Sequence, residues 1–501
     1  MDRRKFLKYA GATGAVVGAS ALGLNYLSKP QSAPPSQGTT TATATTTLPS
    51  TAILPMITRL TYEPSRALNS KIYDIRVDLK ISNPARRLLS VQVALEPVVY
   101  AYLPSEAFPN EQSKATMLQT TGLESELLFA YFTNLKGGRE YDVKATVNDS
   151  TAMVDARTLR TEYVREFENI APLDDLSVIA DYYTWYPPGG WGDHVYIPLL
   201  GEYSSGDPIV ISKHIDWATG YGIDAFAASW WGTDYTQTET FEKAFLNHAM
   251  LNQIKFHIIY ENNGRLKIQN PDDSSDKWIQ DLDDPFNRET LISDFLYLTK
   301  YFSSPQYLKI DGKPCVTFDY TLPFRGDVEG AFTELRRKVR EGGWEMYLVN
   351  DLMARSFYPE ELISGKVSLG DYTTISPAHI LDIIKNTDAI SGGPPPFYEM
   401  DVRGTYGMWH NFAMKYEKDF VSSVWPGLHI HPSVCANCQP IPRSPEKFRM
   451  LLEVGREYST KKIIGIHTFN EWTYANQVEP AEEYGLTYLE VLKEVLAKTK
   501  T

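Results

Sequence analysis

From residue 175 onward the chain alternates short, nearly continuous apolar runs with longer amphipathic stretches, and that alternation leaves few folds open. The apolar runs are SVIADYY (177–183), IDAFAASWW (223–231), KFHIIYE (255–261), PCVTFDY (314–320), EMYLVND (345–351), DYTTIS (371–376), GLHIHPS (427–433) and IIGIHTFNEW (463–472). Between them DPIVISKHIDWATGYG, RETLISDFLYLTKYF, EGAFTELRRKVREGG and SPEKFRMLLEVGREYS carry helical spacing. A strand that is apolar on both faces is buried on both, and a helical crossover after it leads to a parallel neighbour. Eight such units predict an α/β fold, a (β/α)8 TIM barrel over residues 175–498. An open doubly wound sheet is the other arrangement considered, but no GxGxxG follows the first run and no P-loop motif is present.

Residues 53–158 differ in texture. Runs such as ITRLTYEP, IYDIRVDLKIS, SVQVALEPVVYAYL, ESELLFAYFTNL, YDVKATVN and TAMVDARTL are separated by turn formers, among them Asn83-Pro84 and Gly137-Gly138. This predicts an all-β sandwich, immunoglobulin-like or fibronectin-like, in front of the barrel. It holds no catalytic cluster, so a spacer role is expected ahead of carbohydrate binding. Residues 28–52 are low-complexity Thr, Ala, Pro and Ser, which cannot bury a core and read as a linker or stalk. Before them, DRRKFLK sets an Arg pair ahead of a mild Ala/Gly/Val-rich run that ends at residue 27. This resembles a twin-arginine export signal, with Asp2 where Ser or Thr is more usual. An ordinary signal anchor has the same consequence: an exported protein, extracellular or held at the cell surface by an uncleaved membrane anchor. The Thr tract suggests O-glycosylation, and Asn148-Asp149-Ser150 is an N-glycosylation acceptor.

A formal charge of −13 and the lack of any basic block argue against nucleic acid or an anionic membrane surface as partner, and leave a neutral ligand. Three cysteines in so long a chain exclude a disulfide scaffold. Cys435 and Cys438 nevertheless form a CxxC, with His429 and His431 just upstream. The readings, in order, are a local disulfide, unpaired core thiols and a zinc site. The two histidines alternate along an apparent strand and so point the same way, which equally suits the lining of a sugar pocket.

A barrel of this kind builds its active site at the C-terminal ends of its strands. Those ends carry Asp181, Tyr182 and Tyr183, then Trp230 and Trp231, Glu261, Asp319 and Tyr320, Asn350 and Asp351, His429 and His431, and finally Asn470, Glu471 and Trp472. Aromatic faces pack on the C–H faces of pyranose rings, while carboxylates, amides and imidazoles bond to hydroxyls. The loop YYTWYPPGGWGDHVYIPLLGEY adds Trp185, His194 and Glu202. The whole set reads as a carbohydrate site, in which Asp181, Tyr183, Trp185, His194, Glu202, Trp230, Trp231, Glu261, Asn350, His431, Asn470 and Trp472 are the binding candidates. For any single Trp, ordinary packing is an equal alternative. Glycoside cleavage needs one group to protonate the departing oxygen and another to attack or stabilise the sugar centre. Glu471, between Asn470 and Trp472 at a strand mouth, is the first candidate.

Several motifs in order, DYYTWYPPGGWGDH, PLLGEYSSGDP, HIDWATGYGIDAFAASWWG, IIYENNGR and FNEWTYANQVEPAEEYGLTYLEVL, are similar to glycoside hydrolase family 99 and the related WbsX-like proteins of polysaccharide loci. The resemblance covers residues 178–492. It implies an endo-acting α-mannosidase or α-mannanase on a TIM barrel, retaining and without metal or other cofactor. One carboxylate would deprotonate the sugar 2-OH, which attacks its own anomeric carbon to give a 1,2-anhydro sugar, while a second acts as acid and then base. The family's strand-eight motif is N-E-W-x-E-G with both glutamates catalytic, whereas here it reads Asn470-Glu471-Trp472-Thr473-Tyr474-Ala475. The base role carries over to Glu471, and the second position is Tyr474. A phenol with a pKa of about 10 is mismatched as a general acid near neutrality. Glu479, Glu202 and Glu261 are the substitutes considered, Glu479 first, although its QxEP segment also suits holding the loop. Three expectations stand: a hydrolase of α-linked, mannose-containing glycans, a carbohydrate-binding envelope protein that has lost catalysis at Tyr474, and a sugar transferase, which the export signal argues against.

Overall fold

A computed structural model describes residues 55–64, 72–97, 113–136, 140–147, 150–153, 159–160, 165–170, 177–186, 191–268, 279–351, 359–364, 377–393, 401–433 and 440–497. The export segment, the stalk, Asn148 and Asp149, the run DYTTIS, and Cys435 with Cys438 lie outside these residues. The described residues divide into two compact units: one takes Phe167–Gly206 and the residues from Lys213 onward, the other those from 55 to Glu166 together with Asp207–Ser212.

The smaller unit contains β1 (Met56–Pro64), β2 (Ile72–Ser82), β3 (Ser90–Pro97), β4 (Lys114–Gln119), β5 (Ser125–Lys136), β6 (Glu140–Val147), β7 (Ser150–Met153) and β8 (Leu159–Arg160). One antiparallel sheet has the order β1-β2-β5, and the other β4-β3-β6-β7 with β8 also on β6. Alternate residues of both sheets, such as Val77 and Leu79 of β2, Val91 and Val93 of β3, and Val143 and Ala145 of β6, share one buried core. The strand KATMLQ, β4, was not among the sequence expectations; its exposed and half-buried residues alternate, which leaves no apolar run to find.

The larger unit is an eight-stranded parallel barrel. Its strands are Ser177–Tyr182, Ala225–Trp230, Lys255–Tyr260, Lys313–Phe318, Tyr347–Asp351, Ala389–Gly392, Asp419–Val424 and Ile463–Ile466. The ring closes because the first strand pairs in parallel with both the second and the eighth, and the third with the fourth. Helices follow in the crossovers, among them Pro208–Gly220, Pro285–Phe302, Val328–Glu341, Pro377–Asn386, Val402–Lys415, Pro445–Tyr458 and Thr487–Ala497. Their starts are written locally. Asp284 accepts from the Phe286 amide and Ser444 from the Lys447 amide, each ahead of a Pro in the first turn, and Asp327 accepts from the Gly330 amide.

Two strands differ from expectation. The sixth is the four-residue AISG, not DYTTIS, and the seventh is DFVSSV, not GLHIHPS. GLHIHPS lies in the loop after the seventh strand, where Leu428 makes an isolated antiparallel bridge with Ile441. The real seventh strand buries serines, and Ser422 is satisfied by donating to the Gly455 carbonyl at 2.6 Å.

Strand alternation sorts the barrel into an inner and an outer set. Ile179, Ala225, Ala227, Ile259, Cys315, Val349, Ala389, Val421 and Ile463 form the apolar inner layer, with Ile310 among them. Polar residues stand further along the strands: Asp181, Thr317, Asp319, Asp351, Ser391, Ser423 and His467 share a narrow interior cleft with that layer. The outward-facing residues are large and apolar. Phe226 stacks on Tyr182 with ring centres 4.3 Å apart, and Trp230 lies 5.9 Å from Tyr260. Each such ring removed from water stabilises the fold by roughly 1.5–3 kcal/mol.

Candidate active site

The loop after the eighth strand doubles back on itself. The Thr468 amide donates to the Asn476 carbonyl at 3.2 Å, the Val478 amide to Thr468 at 3.0 Å and the Glu479 amide to Phe469 at 2.8 Å. Arg443 pins the turn by donating to the carbonyls of Ala475 and Gln477 at 3.1 and 2.6 Å, while its guanidinium lies over Tyr484 and Tyr488. Ala475 has φ +50°, in the left-handed region, at the position where the family motif has Gly.

Glu471 is held inside this loop at 2 % exposure. Its amide donates to the Thr468 hydroxyl at 2.9 Å, and its Oε1 accepts from the Thr473 amide at 2.8 Å. The Thr473 hydroxyl and the Tyr474 amide add hydrogen bonds that favour the carboxylate, but burial outweighs them and pushes its pKa up to about 7. Tyr474 is half-buried and its carbonyl accepts from the His429 amide at 2.9 Å. At that position the chain contributes backbone support to Glu471 rather than a second carboxyl group.

Glu479 does not stand in as its partner. It is fully buried, with Oε2 accepting from the Tyr203 hydroxyl at 2.7 Å and the Trp472 indole at 2.8 Å, and Oε1 2.9 Å from His214 Nε2. His214 Nδ1 lies 3.0 Å from the Tyr182 hydroxyl. A carboxylate enclosed by three partners has no face for a sugar oxygen, so this group and Trp472 are architectural. Asn470 is too: its amide accepts from the Tyr183 N–H at 2.8 Å and donates to the Tyr183 carbonyl at 2.9 Å, joining the first and eighth loops.

Tyr183 stands among the carboxylates. Burial and the negative charges of Asp181, Glu261, Glu471 and Asp319 hold its phenol well above the ordinary range, so four acidic groups bear on one hydroxyl. Trp185 is half-buried and stacks on Tyr183 at 4.2 Å, with Trp231 6.2 Å beyond it. The Trp231 indole donates to the Ser229 hydroxyl at 2.8 Å, which donates to Glu261 Oε1 at 2.5 Å. Glu261, 5 % exposed, also shares a hydrogen bond with Asp319, and burial together with that neighbouring charge raises its pKa well above the carboxylate range. Asp181 is paired with the His467 ring.

Other candidates fall elsewhere. Trp230 faces outward, fully buried between Tyr260 and the Arg265 guanidinium, so it is core. Asn350 is buried with its Oδ1 accepting from Thr321 at 2.5 Å, and its neighbour Asp351 lines the interior in its place. On the rim, His194 lies 3.9 Å from the exposed Glu202, and His431, which accepts or donates at 2.8 Å to Ser433, lies 3.8 Å from Asp193. Sequence reasoning missed Ser229, Tyr203, His214 and His467. The inward phase of the strand that holds Trp231 could have found Ser229, and HTFNEW already contained His467; the other two act from a distance no spacing reveals.

No family model and no curated protein matches the chain. Among solved structures, a glycoside hydrolase-like protein is similar at 17% identity and a TM-score of 0.50, over 66% of this chain and 96% of that one. An endo-α-mannosidase of family 99 from Bacteroides thetaiotaomicron, in complex with bis-tris propane, is similar at 18% identity and a TM-score of 0.47, over 66% of this chain and 98% of that one. The likeness is one of fold, a barrel that glycoside hydrolases use.

Proposed function

We propose that the protein is a retaining glycoside hydrolase acting on α-linked, mannose-containing polysaccharide or glycan, with Glu471 as base toward the sugar 2-OH. One observation carries this reading: a glutamate buried at the mouth of the barrel and fixed by the Thr473 and Tyr474 amides, a setting in which burial pushes its pKa up to about 7. A base with a pKa near the working pH is both ionised and basic enough to take a hydroxyl proton. The rings of Tyr183, Trp185 and Trp231 suit the C–H faces of a pyranose, and the family 99 motifs supply the α-mannosidic linkage. The strand order β1-β2-β5 and β4-β3-β6-β7 supports an immunoglobulin-like or fibronectin-like spacer at residues 53–158, behind a stalk at 28–52 and an export signal or membrane anchor at 1–27.

The test is release of sugar from α-mannan and defined α-mannosides, with Glu471→Gln and Tyr474→Glu alongside. Glu471→Gln should lower turnover more than about 1,000-fold. A wild-type protein that binds mannan without cleaving it, and gains hydrolysis in Tyr474→Glu, would favour a second reading. In that reading Tyr474 marks a glycosidase barrel converted to carbohydrate binding.

A further inference from the structure

We propose that the proton donor in this site is Glu261, positioned by Asp319. This rests on the hydrolase reading above. The motif offers no second glutamate, since Tyr474 occupies that place, and Glu479 is closed off by Tyr203, Trp472 and His214. Glu261 and Asp319 follow adjacent parallel strands in matching register, Tyr260 beside Phe318, and the Asp319 amide donates to the Tyr260 carbonyl at 3.2 Å. Their carboxyl groups share a hydrogen bond, which two ionised carboxylates cannot do, so the pair holds a proton. Ser229 orients Glu261 from the second strand at 2.5 Å, and Trp231 orients Ser229. Asp319 and Asp181 act on Glu261 by charge, Ser229 by a hydrogen bond, and Glu261 in turn acts by charge on the Tyr183 phenol. The same phenol is held up by the charge of Glu471 as well as that of Glu261, so both carboxyl groups lie within electrostatic reach of Tyr183.

The chemistry balances. Glu471 takes the proton of the sugar 2-OH as O2 bonds to C1; the bond from C1 to the leaving oxygen breaks, and that oxygen takes the Glu261 proton. Water then attacks C1 and gives its proton to the Glu261 carboxylate, while O2 recovers a proton from Glu471.

Two substrates separate the acid from the rest of the site. Mannan oligosaccharides leave as alkoxides and need a proton, whereas α-mannosyl fluoride leaves as fluoride and does not. In the full chain, Glu261→Gln should lower kcat/KM for the oligosaccharide by about 100- to 10,000-fold and kcat/KM for the fluoride, which reports only the first step and not the later water attack, by no more than about 10-fold. Asp319→Asn should move the alkaline limb of the oligosaccharide pH profile to lower pH, because Glu261 then ionises more easily; this variant decides the matter if Glu261→Gln does not fold. Equal loss on both substrates, no loss on either, or an unmoved alkaline limb overturns the proposal. Wild-type protein that cleaves the fluoride but no oligosaccharide overturns it while leaving the hydrolase reading intact. Failure on both substrates removes the two together.

Discussion

The two walls of the barrel carry different loads. Strands eight, one, two, three and four end in Glu471, Asp181, Ser229 with Trp231, Glu261 and Asp319, and Tyr183 with Trp185 packs among them. Strands five, six and seven turn Asp351, Ser391 and Ser423 toward the same interior. On the first wall, burial outweighs the donors around Glu471 and, together with the Asp319 charge, those around Glu261, so both hold protons more tightly than free glutamates do. On the second, the described polar groups are mostly small hydroxyls that a barrel tolerates without charge. Unfavourable electrostatics gathered on one side are what a catalytic site needs, and the other side supplies the ring that keeps them in place.

The sharpest way to break this contrast is Glu479→Leu, on the loaded wall but outside the chemistry. It strands the Tyr203 hydroxyl, the Trp472 indole and the His214 ring, and should cost about 3–5 kcal/mol in urea unfolding. An unchanged midpoint would mean that this network does not hold the loop. Glu471→Gln should act in the opposite sense on stability. The Glu471 pKa is raised from 4.5 to about 7, so the folded chain keeps a proton that the unfolded chain releases in that window. The stability tied to that proton is present below the lower value and is lost as pH climbs through the upper one. The Gln variant carries no such loss. It should be more stable than wild type at pH 8 by up to about 3 kcal/mol, with equal thermal midpoints near pH 4. A difference that persists at pH 4 would show that the gain is not electrostatic.

Ala475→Gly is a finer probe. Glycine keeps the left-handed backbone but loses the Cβ that strains it, which relieves about 1 kcal/mol, part of which is returned as greater freedom of the unfolded chain, for a net gain of about 0.5 kcal/mol. Destabilisation instead would mean that the buried Ala475 methyl packs too well to lose. On the quiet wall, Ser391→Ala should change turnover by less than about two-fold. A large loss there would erase the distinction between the walls.

The same division governs how much could be read from the sequence. Strands one to five announce themselves as long apolar runs, and the eighth is tied to a recognisable N-E-W motif. The sixth is four residues with a Gly, and the seventh buries two serines whose suitability depends on tertiary partners such as Gly455. His429 and His431 mimicked strand alternation from within a loop. Trp230 and Trp231 show both the reach and the neglect of pattern. Adjacent residues on a strand face opposite sides, so only one of them could line the interior, and the inward phase of Ala225 and Ala227 identifies it as Trp231. The closed hydrogen-bond set around Glu479 had no such signal, since His214 is 265 residues away. The Glu261 and Asp319 pair was visible as two separate strand ends; their shared proton follows from the adjacency and register of two strands, which the sequence does not print.

The clasp between Asn470 and Tyr183 joins residues 287 positions apart. It is also the seam at which the ring of strands is shut. As the chain is synthesised, seven strands are complete before the segment bearing Glu471 is made, and the pocket lacks its proposed base until that segment crosses back to the first strand. A partly built barrel is therefore chemically silent. Whatever reaction this site performs begins only when the final stave is seated, so turnover doubles as a certificate that the whole ring has closed.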